Sequence, residues 1–104
     1  RQVDGSITAI EALPEVADAV GDEVSITFDS GVRRAQHAYK ALALGADAVF
    51  LGRPYAYGLA AGGAEGVKFV LRNLLAELDL TMGLSGRRTV AEIDRDSLRR
   101  AGEL

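Results

Sequence analysis

Two glycine–arginine turns follow apolar runs in this chain. The first, Asp29-Ser30-Gly31-Val32-Arg33, follows Val24-Ser25-Ile26-Thr27-Phe28 and leads through Arg34 into a helical pattern. The second, Leu51-Gly52-Arg53-Pro54, closes the run Ala48-Val49-Phe50-Leu51. Backbone N–H groups at a helix start lack intrahelical partners and carry partial positive charge, so they attract an anion. Gly31 has no Cβ and lets a ligand approach the backbone. Two strand ends, each with glycine and arginine, predict one phosphate site built from neighbouring loops. Arg33 and Arg53 are its side-chain candidates, and Arg34 reads as a solvated surface arginine.

For the turns to meet, the strands must lie side by side. Val24–Phe28 alternates apolar residues with Ser25 and Thr27 and reads as a strand. Asp47–Leu51 reads as a second, and its four consecutive apolar residues predict burial on both faces. Between them, 34–44 is helical, with Ala35, Ala38, Tyr39 and Leu42 on one stripe and Gly45 after it. Upstream, residues 1–5 form a loop with an Asp4-Gly5 turn signal. Thr8-Ala9-Ile10-Glu11 fits a capping box. Pro14 clashes inside a continuous helix but suits a first helical position. The expectation is therefore a short turn, then a helix from Pro14 to Val20 that ends on a left-handed Gly21.

Downstream, Gly58–Gly63 is a small-residue segment. Ala64–Met82 reads as a long helix with Val67, Val70, Leu71, Leu74, Leu78 and Met82 on a core stripe, closed by Gly83. Thr89-Val90-Ala91-Glu92 reads as a second capping box. The charged tail, 95–104, reads as mobile. Strand, helix, strand, helix predicts an α/β layout with a right-handed parallel connection. Two strands do not complete a domain. Further strands are expected from an absent N-terminal part or from another copy of the chain.

The 104 residues allow one small domain. A content of 48% hydrophobic and 26% charged residues is that of a soluble globular protein. The net charge of −3 gives no basic field for nucleic acid or for an anionic membrane. There is no cysteine, hence no disulfide frame and no thiolate chemistry, with a lean towards the cytoplasm. No apolar run reaches membrane-spanning length and no signal peptide opens the chain. The start at Arg1, without Met, reads as that of a fragment.

Six stretches together resemble the C-terminal part of the FMN-dependent α-hydroxy-acid oxidases and dehydrogenases, the group of glycolate oxidase, lactate oxidase and lactate 2-monooxygenase. They are Arg1-Gln2-Val3-Asp4-Gly5, Ala12-Leu13-Pro14-Glu15-Val16, Phe28-Asp29-Ser30-Gly31-Val32-Arg33-Arg34, Lys40-Ala41-Leu42-Ala43-Leu44-Gly45-Ala46, Leu51-Gly52-Arg53-Pro54 and Leu80-Thr81-Met82-Gly83-Leu84-Ser85-Gly86. A lone Gly-Arg-Pro is a weak signal; the set in this order is strong.

The resemblance implies the C-terminal portion of a (β/α)8 TIM barrel, with parallel strands seven and eight and their helices as one segment over 1–104. In such barrels a phosphate site lies after those strands. It implies that Asp29, Ser30, Gly31, Val32 and Arg33 line the FMN ribityl-phosphate and that Gly52 and Arg53 complete the site. Arg1 matches the arginine of the family's His-Gly-x-Arg motif, which grips the substrate carboxylate through two parallel charge-assisted hydrogen bonds. The motif's histidine, which takes the substrate proton, would stand three residues earlier, so the chain alone is expected to be inactive.

Other polar groups have plainer readings. His37 reads as solvated, Tyr55 and Tyr57 as cover for apolar surface, and Arg87-Arg88 as solvated. Three functions of different classes follow. The first is a segment of a flavoenzyme that oxidises a small L-2-hydroxy acid, lactate-like, to a 2-oxo acid, as a homo-oligomer or with the rest of the barrel. The second is a noncatalytic half-barrel that binds phosphate or flavin. The third is a truncated remnant that only self-associates.

Overall fold

The computed structural model describes residues 3–103; Arg1 lies outside them. Helix α1 (Ala9–Val20) starts at the expected capping box, where the Thr8 side chain accepts the Glu11 N–H and the Glu11 carboxylate accepts the Thr8 N–H at 3.2 Å. Hydrogen bonds from the Thr8 side chain and backbone hold the Glu11 carboxyl below the usual carboxylate range. The helix does not begin at Pro14 as expected; it runs through it. A proline here forfeits one backbone bond and crowds the preceding turn. Continuity instead seats Ile10, Leu13, Ala17 and Val20 on one core. Gly21 is right-handed (φ −61), not left-handed, and glycine serves there because a Cβ would lie 2.5 Å from the Ala17 carbonyl oxygen.

The strands are shorter than the sequence suggests: β1 is Thr27–Phe28 and β2 is Ala48–Val49. Val24 is turned into the exit of α1 by its N–H bond to the Val20 carbonyl. The two strands pair in parallel, with Thr27 opposite Ala48 and Phe28 opposite Val49. Burial on both faces of the second strand is not found. Ala48 is exposed, Val49 half-buried and Phe50 55% exposed, because β1 is the one strand that pairs with it among the described residues.

Helix α2 (Ala35–Ala43) carries two apolar faces. Ala38 and Ala41 join Leu13, Ile26, Phe28, Val32 and Ala46 in the core under β1. Tyr39 and Ala43 join Ile93 in a second core, packed by Leu42, Leu78, Met82 and Leu98. Helix α3 (Arg53–Leu84) is two helices joined across a kink; the second is the 64–82 helix expected, and the first lies outside that expectation. It bends at Gly62 and Gly63, so the small-residue segment is the hinge between two limbs, 53–61 and 64–84. Of its stripe, Val67, Val70, Leu74, Leu78 and Met82 are half-buried and Leu71 is exposed. The helix runs one residue past Gly83, and the left-handed residue after it is Gly86.

The second capping box does not form. Thr89 makes no side-chain cap to the 3-10 turn Val90–Glu92, and the Glu92 carboxylate accepts the Arg88 N–H at 2.9 Å. A further turn, Arg95–Ser97, is tied to α1 by an Arg95–Asp18 ion pair of 2.8 Å. No described helix is long and apolar enough to cross a membrane.

Val24, Phe50, Phe69, Leu75 and Leu80 are all exposed. Apolar burial is worth roughly 25 cal/mol per Å², so a few hundred Å² left in water forfeits several kcal/mol. That is comparable to the stability of a small domain, about 5 kcal/mol at the low end. Open sheet edges recruit other strands. The isolated 104-residue chain is therefore expected to self-associate at micromolar concentration in sedimentation experiments. A monomer with sharp, dispersed amide resonances would show that the chain closes its own core.

Candidate anion-binding site

Parallel pairing makes both turns leave the sheet at the same end. The Asp47 N–H donates to the Ile26 carbonyl at 2.7 Å and the Phe50 N–H to the Phe28 carbonyl at 2.8 Å. The Asp47 carboxylate accepts the Ile26 N–H at 2.7 Å, which fixes the register from the other end. Asp29, Ser30, Gly31, Val32, Arg33, Gly52 and Arg53 thus line one cleft of about 770 Å³, together with Val3–Ile10. That volume suits a small molecule or cofactor. Arg1 lies outside the described residues, but Val3, Asp4 and Gly5 after it border this cleft.

The first turn is left-handed at two successive residues, Ser30 (φ 100) and Gly31 (φ 71). A serine at positive φ is uncommon, and such strain concentrates at ligand sites. Nothing in the protein lies within 4 Å of where a Cβ would stand on Gly31 or Gly52, so both face open space. Val32 differs from its neighbours: it borders the cleft, yet its residue is only 4% exposed and belongs to the first core. It anchors the turn.

Neither N-cap residue beside the cleft, Arg34 for α2 or Gly52 for α3, caps its own helix with a side chain, whereas Thr8 caps α1. Pro54 sits in the first turn of α3, where its missing N–H costs nothing. Among the described residues, neither Arg33 nor Arg53 is in an ion pair, and both are exposed. Two cations, the uncapped start of α3 and two glycines facing open space are a donor set that fits a phosphate.

The sequence reading missed two contributors. His37 is half-buried, not simply solvated, and its Nδ1 accepts the Arg33 N–H at 3.1 Å. What remains for Arg33 to offer is its guanidinium. The spacing of four residues across a helix start was the available signal. The Glu77 carboxylate accepts the Ala35 N–H at 3.3 Å and so ties α3 to the start of α2. Its separation of 42 residues leaves no local signal.

A family model described as FMN-dependent dehydrogenase matches residues 1–100. The chain belongs to that family. It is 57% identical over 100 residues to an FMN-dependent alpha-hydroxy acid dehydrogenase of Penicillium citrinum, covering 96% of this chain and 25% of that protein. It is 53% identical over 93 residues to an L-lactate oxidase of Lacticaseibacillus rhamnosus, covering 89% and 25%. Among solved structures, a lactate oxidase of Pediococcus acidilactici matches with a TM-score of 0.85 at 48% identity, covering 89% of this chain and 26% of that one. A flavocytochrome b2 variant with sulfite bound matches with a TM-score of 0.89 at 36% identity, covering 95% and 26%. The chain spans about a quarter of the length of the relatives it matches.

Replacing Arg33 or Arg53 by alanine is expected to weaken binding of a phosphate monoester by roughly 10- to 100-fold each, the effect of losing a hydrogen bond to a charged group. Titration calorimetry of the complete protein checks this. Full retention of affinity in both variants would remove the arginines from the site.

Proposed function

We propose that this chain supplies the FMN-phosphate grip of an enzyme that oxidises a lactate-like L-2-hydroxy acid to the 2-oxo acid. The observation that carries the reading is the convergence of Asp29–Arg33 and Gly52-Arg53 on one cleft at the same end of a parallel strand pair. The parallel pair is read as strands seven and eight of a (β/α)8 barrel, with residues 53–61 as the short extra helix beside the phosphate site. The exposed Phe50 and Val24 support this reading, since neighbouring strands and helices of a barrel would cover them.

Bound FMN would supply the electron acceptor for the substrate's hydride equivalent. The residues of this chain bind and orient. Arg33 and Arg53 would hold the phosphate through charge-assisted hydrogen bonds. Gly31 and Gly52 leave room for its oxygens beside the backbone. Asp29 is exposed and, when ionised, only accepts hydrogen bonds, so it suits ribityl hydroxyls and would repel the phosphate itself. Arg1 is assigned the substrate carboxylate, and the presence of Val3-Asp4-Gly5 on the cleft supports a substrate end beside the flavin cradle. The chain's one histidine is committed to the Arg33 N–H, so the proton-accepting base is assigned to the rest of the barrel. The location is read as cytoplasmic, in line with the cysteine-free sequence.

The complete protein carrying this chain is expected to be yellow and to oxidise L-lactate or a close 2-hydroxy acid. The 104-residue chain alone is expected to show no turnover. A colourless, inactive complete protein would overturn the reading. So would steady peroxide formation or dye reduction by the isolated chain above a buffer control.

A further inference from the structure

Helix α3 folds back on itself at Gly62 and Gly63, where the backbone leaves helical geometry (φ −149 and +62). Its two limbs then meet at Gly58 and Gly66. A Cβ on Gly66 would fall on the Gly58 carbonyl oxygen. A Cβ on Gly58 would lie 2.7 Å from the Gly66 carbonyl oxygen and 2.8 Å from Val70 Cγ2. Neither glycine has a positive φ, so what each position demands is space, not backbone freedom. Glycine inside a helix costs about 1 kcal/mol relative to alanine, and that cost is borne here at both faces of one contact.

The contact joins the limb that begins with Arg53 to the limb tied to α2, the helix that follows Arg33. The second limb is fixed to α2 by the Glu77 carboxylate on the Ala35 N–H and by Leu78 and Met82 packed against Tyr39 and Ala43. Arg33 stands just before α2. The first limb carries Arg53 at its start, five residues before Gly58, about 7.5 Å along the axis at 1.5 Å per residue. Arg33, Arg53, Gly58, Gly66 and Glu77 all line a second cleft of about 600 Å³. The first limb meets the second at this crossing.

We propose that Gly66, with Gly58, is a positioning residue that sets the Arg33–Arg53 spacing and so the grip on the flavin's phosphate; the inference rests on the flavin-phosphate reading above. A methyl group on Gly66 must part the limbs by about 1 Å, more than the whole 2.7–3.2 Å range of a good N–H···O bond. Arg53 moves with its limb while Arg33 stays with α2.

The test compares FMN with riboflavin, which lacks the phosphate, by flavin-fluorescence titration of the complete apoprotein. Gly66→Ala should lower FMN affinity by roughly tenfold or more and leave riboflavin affinity unchanged, so the preference for FMN falls. Gly58→Ala, whose clashes need a smaller shift, should lower the preference less. Gly83→Ala, on the same helix with nothing within 4 Å of its Cβ, should behave as the unaltered protein. A folded Gly66→Ala protein with an unchanged FMN-to-riboflavin preference overturns the inference. If that variant does not fold, an unchanged preference in Gly58→Ala overturns it. An unaltered protein that does not prefer FMN to riboflavin overturns the flavin-phosphate reading instead.

Discussion

The structure depends on one short parallel ladder. Thr27 pairs with Ala48 and Phe28 with Val49, and the Asp47 carboxylate on the Ile26 N–H locks that register. A slip of one residue would move one turn about 3.3 Å past the other. Gly31-Val32-Arg33 and Gly52-Arg53 would then no longer share a cleft. The second strand of the ladder is poorly covered, since Ala48 is exposed and Phe50, directly beyond β2, is more than half exposed. The interaction that aligns the site is therefore one the rest of a larger sheet would have to shield.

Small side chains do the remaining positioning. α2 presents Ala38 and Ala41 to one core and Ala43 to the other, which lets it lie close to the strand pair on one side and α3 on the other. Glu77 and His37 then hold the start of α2 by two backbone N–H groups, from Ala35 and Arg33. Compactness of this kind orders backbones well but buries little apolar surface. A segment built so can be geometrically well defined and still need partners for stability.

Much of this was legible in the sequence, where local chemistry and the final structure agree. The Thr8–Glu11 box, the α2 stripe, the glycine turn at Gly31 and the convergence of two Gly–Arg turns all follow from residue type and spacing. The reading failed where distant packing decided. Pro14 stays inside α1 because four apolar residues on both sides of it share one core. Residues 53–61 are helical although Gly58 interrupts them; three alanines favour the helix, and the limb leans on 64–84 through Gly58 and Gly66. Four apolar residues in a row suggested a strand buried on both faces, but burial needs neighbours and β2 has one among the described residues. The Ser30 backbone and the Glu77 contact carry no local signature at all.

Whether the two turns at one sheet end grip one phosphate is decided by a crystal structure of the complete protein loaded with FMN. The phosphate is expected within hydrogen-bond distance of both guanidinium groups, Arg33 and Arg53, with its oxygens against Gly31 and Gly52. A phosphate bound elsewhere, or the two guanidinium groups on opposite faces of the sheet, would contradict a shared site.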